Sequence, residues 1–172
     1  MSVVVRPAGA HDAPWLAALA ERTFRETYAA YNTPDDMDRY VAEHFGAARQ
    51  ETELRDPRGV TLVAEVDGRA AGYAQLGRGD TPACVTGAAP LEVVRFYVDR
   101  PWHGRGVAQT LMAAAVEAAR TGGARTLWLG VWERNPRAIA FYRKCGFGDV
   151  GAQTFVLGTD HQRDRVLARP LD

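Results

Sequence analysis

A glycine-containing turn in the middle of the chain has the residue types expected of an anion-binding site. The apolar run Leu91–Val98 precedes it, and an amphipathic pattern that reaches Gly122 follows it. The turn consists of His103, Gly104, Arg105, Gly106, Val107 and Ala108, with Gln109 next. This order predicts a strand, a tight turn and a helix that starts near Gly104.

The start of that helix has the chemistry to hold a phosphate. The first N–H groups of a helix have no internal partner, and the helix dipole adds partial positive charge there. Gly104 and Gly106 lack a Cβ atom, so that an anion can approach the backbone closely. Arg105 could add a charge-assisted hydrogen bond.

Two common nucleotide sites are excluded by the spacing of this turn. No Gly-Lys-Ser/Thr sequence follows the glycines, as a P-loop requires, and Gln109 stands where a dinucleotide-binding turn needs a third glycine. A Gly-x-Gly sequence by itself is also compatible with an ordinary strand-to-helix turn. The turn therefore predicts an anion site only in combination with other residues.

A second segment with chemical potential lies downstream. The run Leu127–Trp132 is typical of a buried strand, and Asn135 before Pro136 is typical of a helix start. The helix that follows carries Phe141 and Tyr142, then ends at Gly146. Asn135 is expected to cap this helix or to bind a ligand, and both roles are compatible.

The remaining elements place these two segments in an α/β architecture. The chain opens with a strand over Val3–Arg6 and a one-sided helix after Asp12, then a second helix after Thr33-Pro34. Asp67-Gly68 predicts a hairpin, and 77–90 a loop. Two final strands are expected near Val150–Leu157 and Val166–Leu171. The predicted order, β-α-α-β-β-β-α-β-α-β-β, corresponds to one mixed sheet with four flanking helices in a single domain over residues 1–172.

Composition limits the classes of function. The 172 residues are 47% hydrophobic and 24% charged, and 21 basic side chains balance 21 acidic ones. No global charge is expected to attract nucleic acid or a membrane, so that any anion site must be local. The start of the chain lacks the pattern of a secretory signal, and we expect a cytoplasmic protein. Cys84 and Cys145 are expected to be reduced thiols.

The two segments together resemble the GNAT superfamily of N-acetyltransferases. His103, Gly106 and Ala108 occupy the fixed positions of the superfamily's acyl-CoA signature Q/R-x-x-G-x-G/A, with histidine at the first position. The segment from Trp128 to Phe147 is similar to the superfamily's second cofactor segment. The outer segments, Thr27–Met37 and Phe155–Asp164, look like bacterial spermidine/spermine N-acetyltransferases of the PaiA type.

The resemblance implies a fold, a cofactor and a reaction. The fold is a mostly antiparallel twisted sheet in which the fourth and fifth strands splay apart, with about four helices around it. The cofactor is acetyl-CoA, and the reaction is acetyl transfer to a primary amine such as a polyamine. Relatives are commonly dimers, which makes a homodimer possible.

The resemblance also assigns roles to individual residues. The residues expected to bind the cofactor are Phe96, Tyr97, Val98, His103, Gly104, Arg105, Gly106, Val107, Ala108, Gln109, Asn135, Tyr142 and Lys144. Tyr142 is the candidate acid for the leaving thiolate, and the alternative is a packed aromatic beside Phe141. Glu92 is the candidate base, and the alternative is a carboxylate at a strand edge or paired with Arg95. Lys144 could meet a cofactor phosphate or be solvated.

The acceptor is less constrained by the sequence. A polyamine requires carboxylates beyond the acetyl group, and the available ones are Asp35, Asp36, Asp38, Glu133, Asp160 and Asp164. Tyr28 and Trp132 could add cation–π faces or belong to the core. The histidines have no ligand spacing, and we expect no metal. Alternatives are acetylation of a protein N-terminus, a lysine, an aminoglycoside-like or an amino-acid-like amine, or a non-catalytic acyl-CoA sensor.

Overall fold

A computed structural model describes residues 1–172 and contains one seven-stranded sheet. The strands are β1 (Val3–Pro7), β2 (Val60–Val66), β3 (Arg69–Gly77), β4 (Pro90–Val98), β5 (Thr126–Trp132), β6 (Gly148–Leu157) and β7 (Asp160–Pro170). Their spatial order is β1-β2-β3-β4-β5-β7-β6, and every neighbouring pair is antiparallel except β4 with β5. The expectation of a mixed, mostly antiparallel sheet is confirmed.

Five α-helices flank the sheet, one more than the sequence predicts. They are α1 (Ala13–Tyr28), α2 (Pro34–His44), α3 (Ala47–Leu54), α4 (Val107–Thr121) and α5 (Pro136–Lys144). The additional helix, α3, is short and polar, and Gln50 is the residue that it buries. It lacks the apolar periodicity by which helices are recognised. None of the five is both long and apolar enough to cross a membrane.

Local signals in the sequence fix several element boundaries. The Thr33 hydroxyl accepts a hydrogen bond of 3.2 Å from the Asp36 N–H and caps α2. Asp67 and Gly68 both have positive φ in the turn between β2 and β3, as a tight hairpin requires. Asp12, in contrast, makes no cap bond to α1, because Arg6 donates two hydrogen bonds to its carboxylate.

The last strand starts earlier than the sequence predicts. The sequence predicts that this strand starts near Val166. In the structure β7 begins at Asp160 and pairs with β6 as far as Ala168. The first half of β7 consists of polar residues, and two of them, Gln162 and Asp164, are buried. Apolar patterning does not reveal such a half-strand, and Asp164 therefore lies inside the sheet.

The core has two main layers, one on each face of the sheet. On one face α4 packs against the central strands, with Leu111, Met112 and Val116 among the buried residues. On the other face α1 and α2 pack through a cluster that includes Phe24 and Met37. The two layers hold the central strands from both sides.

The two parallel strands separate soon after they meet. β4 and β5 pair only through Pro90–Glu92 and Thr126–Trp128, although both strands continue beyond this point. The splay that the resemblance implies is therefore present. The backbone groups of β4 that face β5 beyond Glu92 have no strand partner. Except for the Val98 carbonyl, to which His103 donates, they are free to bind a ligand that enters the gap.

Candidate active site

The turn between β4 and α4 is shaped by two glycines with left-handed backbone. Gly104 has φ of +72° and Gly106 has φ of +81°, a region that residues with a side chain adopt only at a cost. Because both glycines lie outside the helix, α4 begins at Val107 and not near Gly104 as expected. The two glycines thus allow the backbone conformation of the turn, in addition to the close approach of an anion.

The beginning of α4 presents unpartnered backbone donors. No side chain caps this helix, so that the N–H groups of its first residues, Val107, Ala108 and Gln109, are free. The side chain of Val107 is fully buried in the core, and only its backbone can serve a ligand. This arrangement is suited to an anion such as a pyrophosphate.

His103 connects the turn to its neighbours. Its Nε2 lies 2.7 Å from the Val98 carbonyl oxygen, to which it donates, and its Nδ1 accepts from Arg137 at 3.2 Å. Both ring nitrogens are therefore occupied by protein groups. The histidine at the first position of the signature braces β4, the turn and α5 against one another.

Arg105 does not lie over the expected site. Its guanidinium stacks on the Trp102 ring at 5.6 Å, and its side chain is not among those that line the cleft beside the turn. Arg134, Arg137 and Lys144 approach this cleft instead, and none of the three forms an ion pair with an acidic side chain. Arg134 and Arg137 flank Asn135-Pro136 in the chain. The sequence alone does not mark them as cofactor-binding residues.

A cleft of about 660 Å³ follows the splay from the turn to α5 and the end of α1. Eleven of the residues predicted to bind the cofactor line it: Phe96, Tyr97, Val98, His103, Gly104, Gly106, Ala108, Gln109, Asn135, Tyr142 and Lys144. Thr27, Tyr31 and Trp132 also line it. A cleft that contains free N–H groups and three cations without acidic partners fits a cofactor that carries phosphates and a long arm.

Asn135 caps α5, as the sequence predicts. Its side-chain oxygen accepts from the Ala138 N–H at 3.2 Å. The cap uses the oxygen only, which leaves the amide NH₂ of this cleft residue available to a ligand.

Tyr142 projects into the cleft from α5. Its ring packs edge-on against Phe96 and Phe147, with centroids 6.1 and 6.0 Å apart. Its hydroxyl makes no hydrogen bond within the protein, and burial raises its pKa well above the usual tyrosine range. The ring is thus packed, as the alternative interpretation expects, and the hydroxyl of this cleft residue is a protonated donor without a protein partner.

Glu92 lies at the point where the splay begins, opposite Trp128. The β3–β4 register moves from Gln75–Arg95 to Leu76–Val93, which leaves Val94 as a β-bulge. The bulge reverses the alternation of β4, so that Glu92 faces the same side as Arg95 and Tyr97. Strict alternation would instead have placed it with Phe96.

The surroundings of Glu92 suit a base. It has no hydrogen-bond or ion-pair partner in the protein, and burial raises its pKa to about 7. The alternative of an ion pair with Arg95 is wrong. Arg95 instead pairs with Glu53 and donates to the Gln75 side chain at 2.9 Å. Glu53 belongs to α3, the helix that the sequence did not reveal.

A second cavity of about 320 Å³ lies on the α1–α3 face of the splay, and we call it the inner pocket. Glu92, Asp164, Gln153 and the aromatic rings of α1, α2 and β6 line it. Tyr97 lines both cavities and separates the inner pocket from the cleft. The structure therefore places Tyr142 and Glu92 in adjoining cavities rather than in one.

Asp164 is one of two buried candidate acceptor carboxylates, with Asp36 the other, and it alone lines the inner pocket. It is 7% exposed, and burial together with the charge of Glu133 raises its pKa to about 6. Its Oδ1 atom has no hydrogen-bond partner. A buried carboxylate without a protein partner is unusual and indicates a site for a ligand.

Most of the other candidate carboxylates are engaged within the protein. Asp36 accepts from the Thr159 hydroxyl at 2.8 Å, and Asp160 accepts from Gln162 at 2.8 Å. Asp38 pairs with Arg25 at 2.9 Å, and Glu133 lies 3.9 Å from Arg163. Asp35 is exposed at the start of α2. Sequence alone gave no means of separating Asp164 from these five.

The two aromatic candidates pack together at the junction of the cavities. The rings of Tyr28 and Trp132 have centroids 5.0 Å apart, and Trp132 is 6% exposed. Tyr28 also lines the inner pocket. The structure has no group of three or more His, Cys, Asp or Glu side chains placed to hold a metal ion.

Comparisons with known proteins agree with this geometry. Residues 18–147 match the acetyltransferase (GNAT) family. An uncharacterized N-acetyltransferase of Mycobacterium tuberculosis is 39% identical over 93% of this chain and 98% of its own length. An L-methionine sulfoximine/L-methionine sulfone acetyltransferase of Pseudomonas aeruginosa is 27% identical over 86% of this chain and 81% of its own.

Solved structures show the same fold. PaiA N-acetyltransferase of Thermoplasma acidophilum, in complex with coenzyme A, superposes with a TM-score of 0.79 over 99% of both chains, at 19% identity. The glycine turn, the splay, the cleft and the family match lead to one conclusion. The chain belongs to the acetyltransferase (GNAT) family and is an acyltransferase that uses acetyl-CoA.

Proposed function

We propose that this enzyme transfers the acetyl group of acetyl-CoA to a primary amine of a polyamine such as spermidine or spermine. The observation that carries the proposal is the inner pocket, where Glu92 and Asp164 have no protein partner. Buried carboxylates of this kind are stabilised by a cationic ligand. Aromatic walls beside them suit the aliphatic segments of a polyamine.

The cleft residues divide the binding of the cofactor between them. The free N–H groups at the start of α4 and the cations Arg134, Arg137 and Lys144 hold the phosphates. Unpaired backbone of β4 between Phe96 and Val98 bonds the amides of the arm. Bound acetyl-CoA supplies an activated acyl group as a thioester.

Glu92 removes the proton that the acceptor nitrogen must lose. An amine with a pKa near 10.4 is neutral to only about one part in 2,500 at pH 7, equivalent to about 4.6 kcal/mol. With a pKa of about 7, Glu92 is partly ionised at neutral pH and accepts this proton through water, since it lies in the inner pocket. Arg95 does not compete for it, because Glu53 engages Arg95.

Tyr142 supplies a proton to the sulfur that departs. Its hydroxyl lies in the cleft without a protein partner and stays protonated over the working pH range. A free phenol is a weaker acid than a thiol, with pKa values of about 10 and 8.5, so that the proton moves as the C–S bond breaks. Because burial raises the pKa of Tyr142 further, its proton can move only together with cleavage of the C–S bond.

An amino-acid-like acceptor is the second candidate. The Pseudomonas aeruginosa relative is named for L-methionine sulfoximine and L-methionine sulfone. Arg49 lines the inner pocket and could pair with a substrate carboxylate, although Glu53 Oε1 lies 3.0 Å from its Nε. The opposite charge of Arg49 and Asp164 makes the pocket compatible with a zwitterion.

A thiol-release assay over an amine panel tests the proposal. The panel contains spermidine, spermine, lysine, methionine sulfoximine and an aminoglycoside, with acetyl-CoA binding measured by calorimetry. We expect the highest kcat/KM with a polyamine. Preference for methionine sulfoximine would support the second candidate, and tight cofactor binding without turnover of any amine would contradict both.

A further inference from the structure

A recess in the inner pocket is formed by Asp164, Gln153 and Gly130. Gln153 on β6 and Asp164 on β7 are register partners, and Gly130 lies two residues from Trp132, the β5 partner of Asp164. Asp164 is 7% exposed and its Oδ1 atom has no partner, although the side chain lines the pocket. Gln153 makes no side-chain hydrogen bond that would occupy its amide.

Glycine at position 130 leaves room for the two polar side chains in their present positions. A Cβ atom there would lie 2.5 Å from Gln153 Nε2 and 3.1 Å from Asp164 Oδ2. The first distance is shorter than real Cβ contacts, so that any side chain would push the amide aside. The absence of a side chain on β5 thus lets the carboxylate and the amide lie over the strand and face the pocket.

The cations near this recess are committed elsewhere. Arg165 pairs with Asp149 at 2.6 Å, and Arg49 and Arg95 both pair with Glu53. Arg163 lies 3.9 Å from Glu133. An ionised Asp164 therefore has no cationic partner within the protein, and a ligand must supply one if the charge is to be compensated.

The register sets the distance between Asp164 and Glu92. Glu92 is level with Trp128 on β5, and Asp164 is level with Trp132. Four residues of strand separate these levels by roughly 13 Å, at about 3.3 Å per residue. Side chains that lean into the pocket shorten this distance, and a linear molecule with two nitrogen atoms could reach both carboxylates.

We propose that Asp164, together with Gln153, binds a second, non-reacting ammonium group of the acceptor, and that the enzyme therefore selects linear diamines and polyamines over monoamines. The ammonium donates to the Asp164 carboxylate and to the Gln153 side-chain oxygen, while the reacting nitrogen lies on the Glu92 side. This inference rests on the proposed function, since it specifies the acceptor site of the same reaction.

The test compares diaminooctane with octylamine, which have the same carbon chain and differ in one terminal amine. We expect the wild-type enzyme to favour the diamine in kcat/KM by about 10- to 100-fold, the range of a hydrogen bond to a charged group. Asp164→Asn should lower kcat/KM for the diamine to the level of octylamine and leave octylamine within about twofold. Asp35→Asn, which removes an exposed carboxylate, is the control and should preserve the preference.

A second variant tests the recess without removal of a charge. Gly130→Ala should displace Gln153 and Asp164 and lower the preference for the diamine, with the Kd of acetyl-CoA unchanged. Gly148→Ala is its control, because a Cβ atom at Gly148 meets no atom within 4 Å. Thermal unfolding and calorimetry with acetyl-CoA verify that each variant is folded.

The outcomes separate this inference from the proposed function. Equal kcat/KM for both amines in the wild type, or an equal loss for both in Asp164→Asn, would overturn the assignment of Asp164 while the enzyme remains an amine acetyltransferase. No thiol release with any amine would overturn the proposed function itself. A preference for the diamine that Asp164→Asn and Gly130→Ala both abolish would support the inference.

Discussion

Tyr142 and Glu92 show how much the environment of a residue decides its chemistry. Each is a common residue type, and each lies in a sheet or helix where a structural role would be ordinary. What distinguishes them is that neither the hydroxyl nor the carboxylate has a protein partner, and that burial raises both pKa values. Polar groups in such positions are costly to maintain and are found at functional sites.

Replacement of Tyr142 by phenylalanine tests the acid. The ring remains packed against Phe96 and Phe147, whereas the proton donor is lost. We expect Tyr142→Phe to lower kcat by about 100-fold, at the lower end of the range for general acid catalysis, with the Kd of acetyl-CoA unchanged. Steady-state kinetics and calorimetry measure the two quantities, and an unchanged kcat would remove Tyr142 from this role.

The proposed role of Glu92 as the base predicts a specific dependence of kcat on pH. Below its pKa of about 7 the carboxyl group already holds a proton and cannot accept another, so that kcat should rise as the pH increases through 7. Glu92→Gln should lower kcat at pH 8 by about 100-fold and abolish this inflection. Profiles from pH 5.5 to 9 with one acceptor provide the measurement. Retention of the inflection in the variant would mean that another group titrates.

At the scale of elements, the β4–turn–α4 unit forms the proposed cofactor site. Between the end of β4 at Val98 and the start of α4 at Val107, positive φ at Gly104 and Gly106 shapes the turn, while the splay opens the adjacent backbone. His103 ties the unit to α5 through Arg137. The phosphate end and the reactive end of the cleft are thus set by one stretch of chain.

A pair of matched glycine variants tests this unit. Gly106→Glu introduces a carboxylate at the beginning of α4, where it repels the phosphates, and we expect acetyl-CoA affinity to fall at least about 100-fold. Gly123→Glu is the control, because Gly123 follows the other end of α4 with a similar φ of +85° and equally open surroundings. Calorimetry should show near wild-type affinity for the control. A similar loss in both variants would indicate backbone strain rather than charge repulsion.

At the scale of the whole molecule, the two carboxylates proposed to serve function in the inner pocket reduce stability when they are ionised. The pKa values of Glu92 and Asp164, about 7 and about 6, exceed the ordinary values of these residues. The folded state therefore retains protons that the unfolded chain has released. The contribution of these groups to stability is complete below pH 4 and is lost as the pH rises to about 7.

The double variant Glu92→Gln/Asp164→Asn should be more stable than the wild type at alkaline pH. We expect its free energy of unfolding at pH 8 to be higher by about 2 kcal/mol for each carboxylate, while activity is lost. Urea unfolding at pH 5 and pH 8 measures the difference. Asp35→Asn/Glu117→Gln, which removes two exposed carboxylates, is the control and should follow the wild type. A double variant that is less stable at pH 8 would contradict the prediction.

The sequence by itself determined the donor half of this enzyme, because short-range signals encode it. The glycines of the turn, the Asn135 cap and the apolar runs of β4 and β5 act through neighbouring residues, and they predicted the strands and helices that form the cleft. The resemblance to the superfamily implied the splay and most of the residues that line the cleft. Recognition of the helix starts at Thr33-Pro34 and Asn135-Pro136 followed from the same local chemistry.

Only the tertiary structure decided the acceptor half. The face on which Glu92 lies depends on a bulge at Val94, which no apolar pattern predicts. Arg95 is removed from Glu92 by Glu53, a residue 42 positions away in the sequence. Asp164 differs from the more exposed candidate carboxylates through its burial, and from the equally buried Asp36 through its lack of a partner. Long-range packing sets burial and pairing, and these two quantities distinguish the proposed base and binding group from an ordinary carboxylate.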